Sequence, residues 1–412
     1  MTSLCGKNST TIGTAILLFI LIGLMSYGQQ EHHRFLVEAG EGVCAEYDQT
    51  DNTINVTCDS TLQDVARTIN DQRILENLGN GEYILNATLE VADAVTFEMN
   101  STNVGENLRY LKIAGGNGVI VHGKILIDGI KITSWNVSSS DVISQDMNGS
   151  IRRGYIQFAA SEGSQITNSE FGYLGDVEPG RRGFDLLGEE DGEPSHDMLI
   201  RDNKFHDMWM GFYSNEAYNV VIDSNEYYNN IKYTIDPHTI THDMNITNNY
   251  VHHNRIGIIC SLDCYNILIE GNDLRHNTEY GIFFSRNMHD SIARNNYVYN
   301  STTGIMISES SNNQIYNNTI EGVTSQGIHL FNPVSPDDGE TENNLVYDNS
   351  IVNSQNGVVA TRSHDNIVQN TTFSEINSSE YRLSGDSSLW ISGQHFQSTL
   401  ISHDDSATTI RE

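Results

Sequence analysis

The sequence predicts an all-β fold, a single-stranded right-handed parallel β-helix with coils of about 23 residues. A glycine-centred apolar unit recurs through the second half of the chain, mostly at steps of 23 or 24 residues. Its marker positions are Gly211, Thr234, Gly257, Gly281, Gly304, Gly327 and Gly357, with Thr234 in place of glycine. The last step is longer because the loop 333–342 adds length. A fixed period of this size is typical of a repeat architecture.

Each unit combines short apolar segments, such as Gly281–Ser285, with asparagine-rich turns, and this pattern predicts strands rather than helices. Asparagine tolerates left-handed backbone and can bond the asparagine of the next coil. Nine residues before the markers lie Asp202, Asn225, Asn248, Asn272, Asn295, Asn318 and Asp348. Because one coil cannot bury its own apolar face, stability sums over neighbouring coils. We therefore predict that the glycine and asparagine columns are scaffold.

The first 28 residues have the pattern of a signal peptide. Lys7 precedes an apolar run from Ala15 to Met25, and Ser26 and Gly28 supply the small residues before a cleavage site. We predict an exported protein, secreted or extracellular, with cleavage after Gly28. An uncleaved N-terminal anchor, which would hold the protein at the cell surface, is the alternative.

The rest of the chain divides into three predicted segments. Residues 29–110 are expected to form an N-terminal cap and the first strands, with a short cap helix in the segment Leu62–Leu78. Residues 111–373 carry the repeats and are predicted to form the β-helix. Residues 374–412 lose the pattern and are predicted to be a C-terminal cap or tail.

The charge is strongly acidic, with 54 Asp and Glu against 22 Lys and Arg and a net charge of −32. Such a chain repels nucleic acid and anionic lipid. No sequence motif requires a cofactor and we assign no metal ligands, although Ca²⁺ would suit an acidic exported protein. We expect a monomer.

Four cysteines follow the predicted signal peptide, and their proximity in sequence predicts two disulfides, Cys44–Cys58 and Cys260–Cys264. Asparagines in Asn-x-Ser/Thr sequons would be modified only in a host that glycosylates, and chance alone produces some of them in asparagine-rich turns. These asparagines are Asn55, Asn86, Asn100, Asn136, Asn148, Asn245, Asn300, Asn317, Asn370 and Asn377.

One coil concentrates chemistry-bearing side chains: Tyr233, Asp236 and His238 fall within six residues. Asp236 is predicted to share a column with Tyr213, Ile259, Phe283, Met306 and His329. The apolar members predict that this column points inward, so that Asp236 needs His238 or a backbone donor as a partner. From composition alone, a polar corner without catalysis fits equally.

The flanking text resembles the mannuronan C5-epimerases over residues from about 75 to 330. That family's motif Tyr-Gly-[Ile/Phe]-Asp-Pro-His is matched by Tyr233–His238, with Thr234 in place of glycine and Thr239 where an acid often follows. Similar segments are Lys131–Trp135, Phe171–Gly175, Gly211–Ala217 and Gly281–Arg286. The resemblance implies an exported β-helix enzyme that converts mannuronate to guluronate within alginate, an acidic polysaccharide.

The resemblance also implies roles for these residues. His238 and Tyr233 would be the base and acid that exchange the proton at C5 of a uronate, and Asp236 would orient them. A Lys or Arg would neutralise the substrate carboxylate, and Arg286 is our first candidate for this role. Further candidates for binding the substrate are Arg201, Lys204, Lys232, Arg255, Tyr280 and Tyr213. Lys232 is expected to face away from Tyr233 if both lie in one strand.

Two other functions fit the same residues. A uronate lyase would remove the same proton but then break the C4–O bond. A β-helix that only binds glycans or builds the cell envelope would retain the motif without turnover.

Overall fold

The structure, a computed structural model, describes residues 44–101, 107–144, 151–188, 193–336 and 338–393, and the backbone of 401–403 and 408–411. The predicted signal peptide, or anchor, lies outside the described residues. The described residues belong to one compact unit. None of the helices among them is long and apolar enough to span a bilayer.

The chain coils into a parallel β-helix, as predicted, and each full coil contributes strands to three ladders of paired strands. We call the ladder that contains the motif the front ladder. It comprises Thr53–Val56, Thr88–Val91, Gly118–Val121, Tyr155–Ala159, Phe184–Leu187, Phe212–Asn215, Ile235–His238, Ile256–Ser261, Tyr280–Ser285, Thr303–Ser308, Gln326–Phe331, the second halves of Ser350–Thr361 and Thr372–Ser384, and Ile401–His403.

The side ladder precedes the front ladder within each coil. It comprises Glu82–Leu85, Tyr110–Ala114, Lys131–Asn136, Glu170–Gly172, Lys204–His206, Glu226–Tyr228, Tyr250–His252, Asp273–Arg275, Tyr297–Tyr299, Thr319–Glu321 and the first halves of Ser350–Thr361 and Thr372–Ser384. The short strand Asp141–Val142 pairs with it antiparallel.

The rear ladder completes the coil. It comprises Ser60–Thr61, Thr96–Asn100, Lys124–Asp128, Gln165–Thr167, Leu199–Arg201, Val221–Asp223, His242–Thr247, Tyr265–Glu270, Ile292–Arg294, Gln314–Tyr316, Leu345–Tyr347, Asn366–Gln369, Ser387–Ser392 and Thr408–Arg411. Inward side chains of all three ladders fill one apolar core that runs along the axis.

The N-terminal end of the β-helix is closed by a helix and antiparallel strands. The helix runs only from Leu62 to Ile69, with a capping box between Thr61 and Asp64, and it ends because Asn70 adopts left-handed backbone at φ 46°. The rest of the segment predicted as helical forms the strand Leu75–Gly79, antiparallel to Glu82–Leu85. Ala45–Asp48 pairs antiparallel with Thr53–Val56. These antiparallel strands cover the open edge of the first coils.

The C-terminal end differs from the sequence expectation. Parallel pairing does not stop at residue 373, because Thr372–Ser384 pairs along its length with Ser350–Thr361. Ser387–Ser392 continues the rear ladder. The repeat fades in sequence there, but backbone pairing needs no marker glycine.

Only one of the two predicted disulfides is present. Cys44 and Cys58 are joined, whereas Cys260 and Cys264 are free thiols buried in the core. The Sγ of Cys264 donates a hydrogen bond to the carbonyl oxygen of Ser261 at 3.2 Å. Proximity in sequence therefore failed as a guide because both side chains pack into the core as small apolar groups.

A buried asparagine ladder links the coils. Asn225, for example, donates its Nδ2 to the carbonyl of Ile200 at 2.9 Å and to Oδ1 of Asn249 at 3.1 Å. The ladder comprises Asn203, Asn225, Asn249, Asn272, Asn296, Asn318 and Asn349. The column predicted from a fixed offset is one residue early at alternate coils, because the step along this ladder alternates around 23 residues. The predicted members Asn248 and Asn295 instead take left-handed backbone.

Candidate active site

The motif forms the strand Ile235–His238 of the front ladder. Asp236 pairs with Tyr213 in the preceding coil, and His238 pairs with Asn215 before it and Ser261 after it. These partners confirm the predicted columns. Ile235 packs in the core, so the alternation of a strand turns Asp236 and His238 outward. The prediction that the Asp236 column points inward is therefore wrong, since its apolar members lie on the outer face.

The residue that replaces the motif glycine does not line the outer face. Thr234 is fully buried, and its Oγ1 donates a hydrogen bond to the carbonyl of Ile256 at 2.7 Å. At the matching position one coil earlier, a Cβ on Gly211 would lie 2.5 Å from the carbonyl oxygen of Thr234. The marker glycines thus allow neighbouring coils to approach, and Thr234 satisfies a carbonyl within the scaffold.

His238 is held in one tautomer by its two hydrogen bonds. Its Nε2 lies 3.1 Å from Nη2 of Arg286, and its Nδ1 lies 2.7 Å from Oγ1 of Thr239. A guanidinium only donates, so Nε2 accepts and the proton of the neutral ring is on Nδ1. Burial lowers the pKa of His238 to about 4, and the positive charges of Arg286 and Arg182 add to the effect. The imidazole is therefore neutral above this pH.

Arg286 is positioned by a serine on the coil below it. Its Nε and Nη2 donate to Oγ of Ser261 at 3.0 and 2.8 Å. It takes part in none of the ion pairs found among the described residues. The first-ranked candidate for neutralising a carboxylate is thus beside the candidate base, with its charge uncompensated.

Asp236 is 1% exposed, and neither of its carboxyl oxygens has a hydrogen-bond partner in the described part of the chain. The predicted contact with His238 is absent, since both nitrogens of that ring bond elsewhere. Burial raises the pKa of Asp236 well above its usual value, against the opposing pull of Arg182. We therefore treat Asp236 as a protonated acid at neutral pH.

Arg182 is a functional candidate that the sequence did not reveal. Its Cζ lies 4.0 Å from the ring centroid of Tyr213, and its Nη1 lies 3.6 Å from Oδ2 of Asp185. Asp185 is buried, and burial raises its pKa to about 7. The ring of Tyr213 is 5.4 Å from that of His238, so Arg182 and Arg286 flank the imidazole from opposite directions along the ladder.

Tyr213 was predicted to bind substrate, but it is only 7% exposed and packs beneath Arg182. Burial raises the pKa of its phenol to about 12. Tyr280, the other tyrosine predicted to bind substrate, is half-buried beside Phe283, with ring centroids 4.8 Å apart.

Tyr233 is half-buried, and burial raises the pKa of its phenol, followed by the field of Asp236. Arg255 and Arg286 act on the same phenol in the opposite direction. Lys232 does not face away as predicted: its Nζ lies 5.4 Å from the ring centroid of Tyr233. Both residues precede the strand, so strand alternation does not apply to them.

The remaining basic candidates are in ion pairs. Arg255, near Tyr233, bonds Glu279 at 2.7 Å. Arg201 belongs to the rear ladder and bonds Asp223 at 3.0 Å, and Lys204 belongs to the side ladder and lies 3.2 Å from Glu226. The structure does not bring Arg201 and Lys204 to the motif.

One group of residues in the described ranges has the spacing of metal ligands. Donor atoms of Glu162, His196 and Asp197 all lie within 4.8 Å of one another, on a partly exposed edge next to the rear ladder. The imidazole donor is unlike the oxygen sets that hold Ca²⁺. The expectation of bound calcium therefore gains no support from this group.

Comparisons with known proteins agree with the fold and with the motif. The family described as "Right handed beta helix region" matches residues 191–337, and the one described as "Periplasmic copper-binding protein (NosD)" matches residues 112–263. A mannuronan C5-epimerase of Pseudomonas syringae is 26% identical over 48% of this chain and 38% of its own length. The enzyme of that name from Pseudomonas aeruginosa is 25% identical over 45% and 35%.

The chain resembles the mannuronan C5-epimerases. It spans less than two fifths of the length of these two relatives. Among solved structures, the periplasmic alginate epimerase AlgG superposes with a TM-score of 0.63 at 21% identity, over 87% of this chain and 84% of that one. A mutant of the same protein gives 0.66 at 20% identity, over 87% and 85%. The predicted right-handed parallel β-helix is confirmed, and so is the resemblance stated from the motif.

Proposed function

We propose that this chain is an exported enzyme that epimerises uronate residues at C5 within an acidic polysaccharide, in the manner of mannuronate to guluronate. The contact between Arg286 and His238 carries the proposal. It combines a neutral imidazole, whose unprotonated Nε2 faces outward, with a guanidinium that has no carboxylate partner. The relatives named above act as mannuronan C5-epimerases.

The local charge suits an anionic substrate even though the whole chain carries −32. Asp236 and Asp185 both have raised pKa values, so protonation removes negative charge from this part of the ladder. Arg182, Arg286 and Lys232 then leave the site positive. A water-poor positive site attracts a uronate carboxylate more strongly than the same charges would in water.

The first chemical step follows from these positions. The substrate carboxylate pairs with Arg286, which draws the guanidinium from His238 and frees Nε2. Nε2 then removes the C5 proton, and the negative charge that develops on the carboxylate is stabilised by the same guanidinium. A base of low pKa takes a proton only while that charge is stabilised, so the two residues act together.

The second step returns a proton to the opposite face of C5. Tyr233 is the candidate donor, because its raised pKa keeps the phenol protonated at the moment of donation. His238 then holds the proton removed and Tyr233 is a phenolate, and exchange with solvent restores both. The neutral Asp236 buried beneath them shapes the field without adding negative charge.

Proton NMR of the protein incubated with polymannuronate in deuterated water tests the proposal. New guluronate signals with deuterium at C5 are the expected result. Olefinic signals would instead establish a lyase, in which the C4–O bond breaks after the same proton removal. Polymannuronate and other acidic glycans that all remain unchanged would contradict an enzymatic function.

A further inference from the structure

A second arginine on the front ladder repeats the placement of Arg286. Arg286 lies five residues after the marker Gly281, and Arg362 lies five residues after the marker Gly357. Both adopt left-handed backbone, at φ 52° and φ 53°. The Nε of Arg286 bonds Ser261, and that of Arg362 donates to the carbonyl oxygen of Asn332 at 2.8 Å. The fold thus presents two guanidinium groups at the same edge, three coils apart.

The surroundings of Arg362 are also similar to those of the first arginine. His329 lies on the outer face, its Nε2 is 3.0 Å from Oγ1 of Thr361, and burial together with Arg362 and Arg382 lowers its pKa to about 4. The Cζ of Arg362 lies 5.3 Å from the ring centroid of Phe331. Arg382 follows one coil later in the column of His329 and is exposed. Neither arginine is among the ion pairs found in the described residues.

The face between the two arginines is suited to a sugar chain. One outward column carries the hydroxyls of Ser261, Ser285 and Ser308, paired coil by coil. The neighbouring column is apolar and includes Phe283, whose partly exposed ring packs against Tyr280. Hydroxyl and aromatic side chains are the groups that contact sugar hydroxyls and sugar C–H faces. Three strand spacings separate the two arginines, roughly 14 Å at ~4.8 Å per step.

The intervening coil carries Glu309 at the position of Arg286 and Arg362. Its carboxylate would repel an anion there, so binding of carboxylates is expected at separate positions rather than along a continuous positive strip. That arrangement selects for a polymer whose acidic groups bridge both positions.

We propose that Arg362 and Arg382 form a second carboxylate-binding position for the polyuronate, three coils from Arg286. The inference rests on the proposed function and names which part of the molecule holds the remote part of the substrate. A chain long enough to reach both positions gains an additional charge-assisted contact. A short oligomer that fills only the site at His238 gains none.

The test compares Arg362→Gln, Arg382→Gln and the double variant with wild type, on polymannuronate and on di- and trimannuronate. We expect the double variant to raise KM for the polymer about tenfold at unchanged kcat, because uniform binding is lost. KM for the short oligomers should stay the same. Arg201→Gln, on the rear ladder, is the matched control and should leave both unchanged.

An unaltered KM for the polymer, or an equal rise for polymer and short oligomers, would overturn the second position. Absence of turnover by wild type is a failure of the proposed function instead. In that case, retardation of the protein in a gel containing polymannuronate tests the binding position directly. Loss of retardation in the double variant but not in Arg201→Gln supports the inference, and equal retardation of all three proteins refutes it.

Discussion

The outer faces of the ladders treat charge in opposite ways. On the side and rear ladders, Lys204 lies 3.2 Å from Glu226 and Arg201 bonds Asp223 at 3.0 Å. On the front ladder, Asp236 is buried without a hydrogen-bond partner in the described residues, and Arg286 contacts a neutral imidazole. Exposed pairs contribute ~0–1 kcal/mol each, whereas a buried polar group without a partner costs ~1–3 kcal/mol.

The difference teaches which face has been shaped by something other than stability. Paired charges on the side and rear ladders keep the β-helix soluble and add little else. The front ladder retains groups that destabilise the fold, next to an imidazole of lowered pKa. Perturbed pKa values of this kind concentrate at functional sites. The following changes test whether the two faces differ in this way.

The largest effect is expected from His238→Ala. Loss of a general base lowers turnover by ~10²–10⁴-fold. The matched control is His242→Ala on the rear ladder, whose ring stacks between Tyr218 and Tyr265. Turnover measured by NMR should fall only in the first variant, with circular dichroism unchanged in both. Equal activity of the two variants would refute the assignment of His238.

Arg286→Gln should lower kcat by ~10²-fold or more, because it removes a group aimed at charge that develops in the transition state. The same change should raise the pKa of His238, since Arg286 is one cause of its depression. An NMR titration of the imidazole C2 proton measures that pKa independently of activity. A pKa that does not move would mean that the two side chains are not in contact in solution.

The pH dependence of kcat/KM should reflect the same environment. Protonation of the base stops catalysis, so the acid limb should lie near pH 4, the pKa of His238, rather than near 6.5. In Arg286→Gln the residual activity should lose its acid tolerance, with the limb shifted towards higher pH. A wild-type limb near pH 6.5 would show that the imidazole is more hydrated than the structure indicates.

Asp236→Asn should change the pH dependence of stability. The folded pKa of Asp236 is raised above the usual 3.8, so the folded state keeps a proton that the unfolded state releases. The free energy of unfolding therefore decreases in wild type as pH rises from about 4 through the folded pKa. The variant should gain stability relative to wild type at pH 8 but not at pH 4 in urea denaturation. A difference that is independent of pH would argue against a protonated Asp236.

The smallest effect is expected from Lys204→Gln. Its partner Glu226 is exposed enough for solvent to screen the pair, so the free energy of unfolding should change by less than ~1 kcal/mol. Activity on polymannuronate should be that of wild type. A loss of activity would show that the side ladder takes part in function, which would break the contrast between the faces.

The sequence by itself determined the repeat and the columns. A marker every 23 or 24 residues fixes the coil length, and constant coil length places Asn215, His238 and Ser261 side by side. It also singled out the motif coil, because Tyr233 and His238 interrupt a pattern of apolar and small residues. These features are local, and each follows from counting along the chain.

Only the tertiary structure decided which of these residues meet and which way they point. Arg201, Lys204, Arg255 and Arg286 were equal candidates in sequence, because the ladder that each joins depends on where its coil bends. Arg182 carried no signal, because it approaches Tyr213 from a loop that lies outside the repeat. Whether a buried column faces the core or the outer surface is set by the packing around it. Apolar neighbours in sequence cannot distinguish the two, since both exclude water.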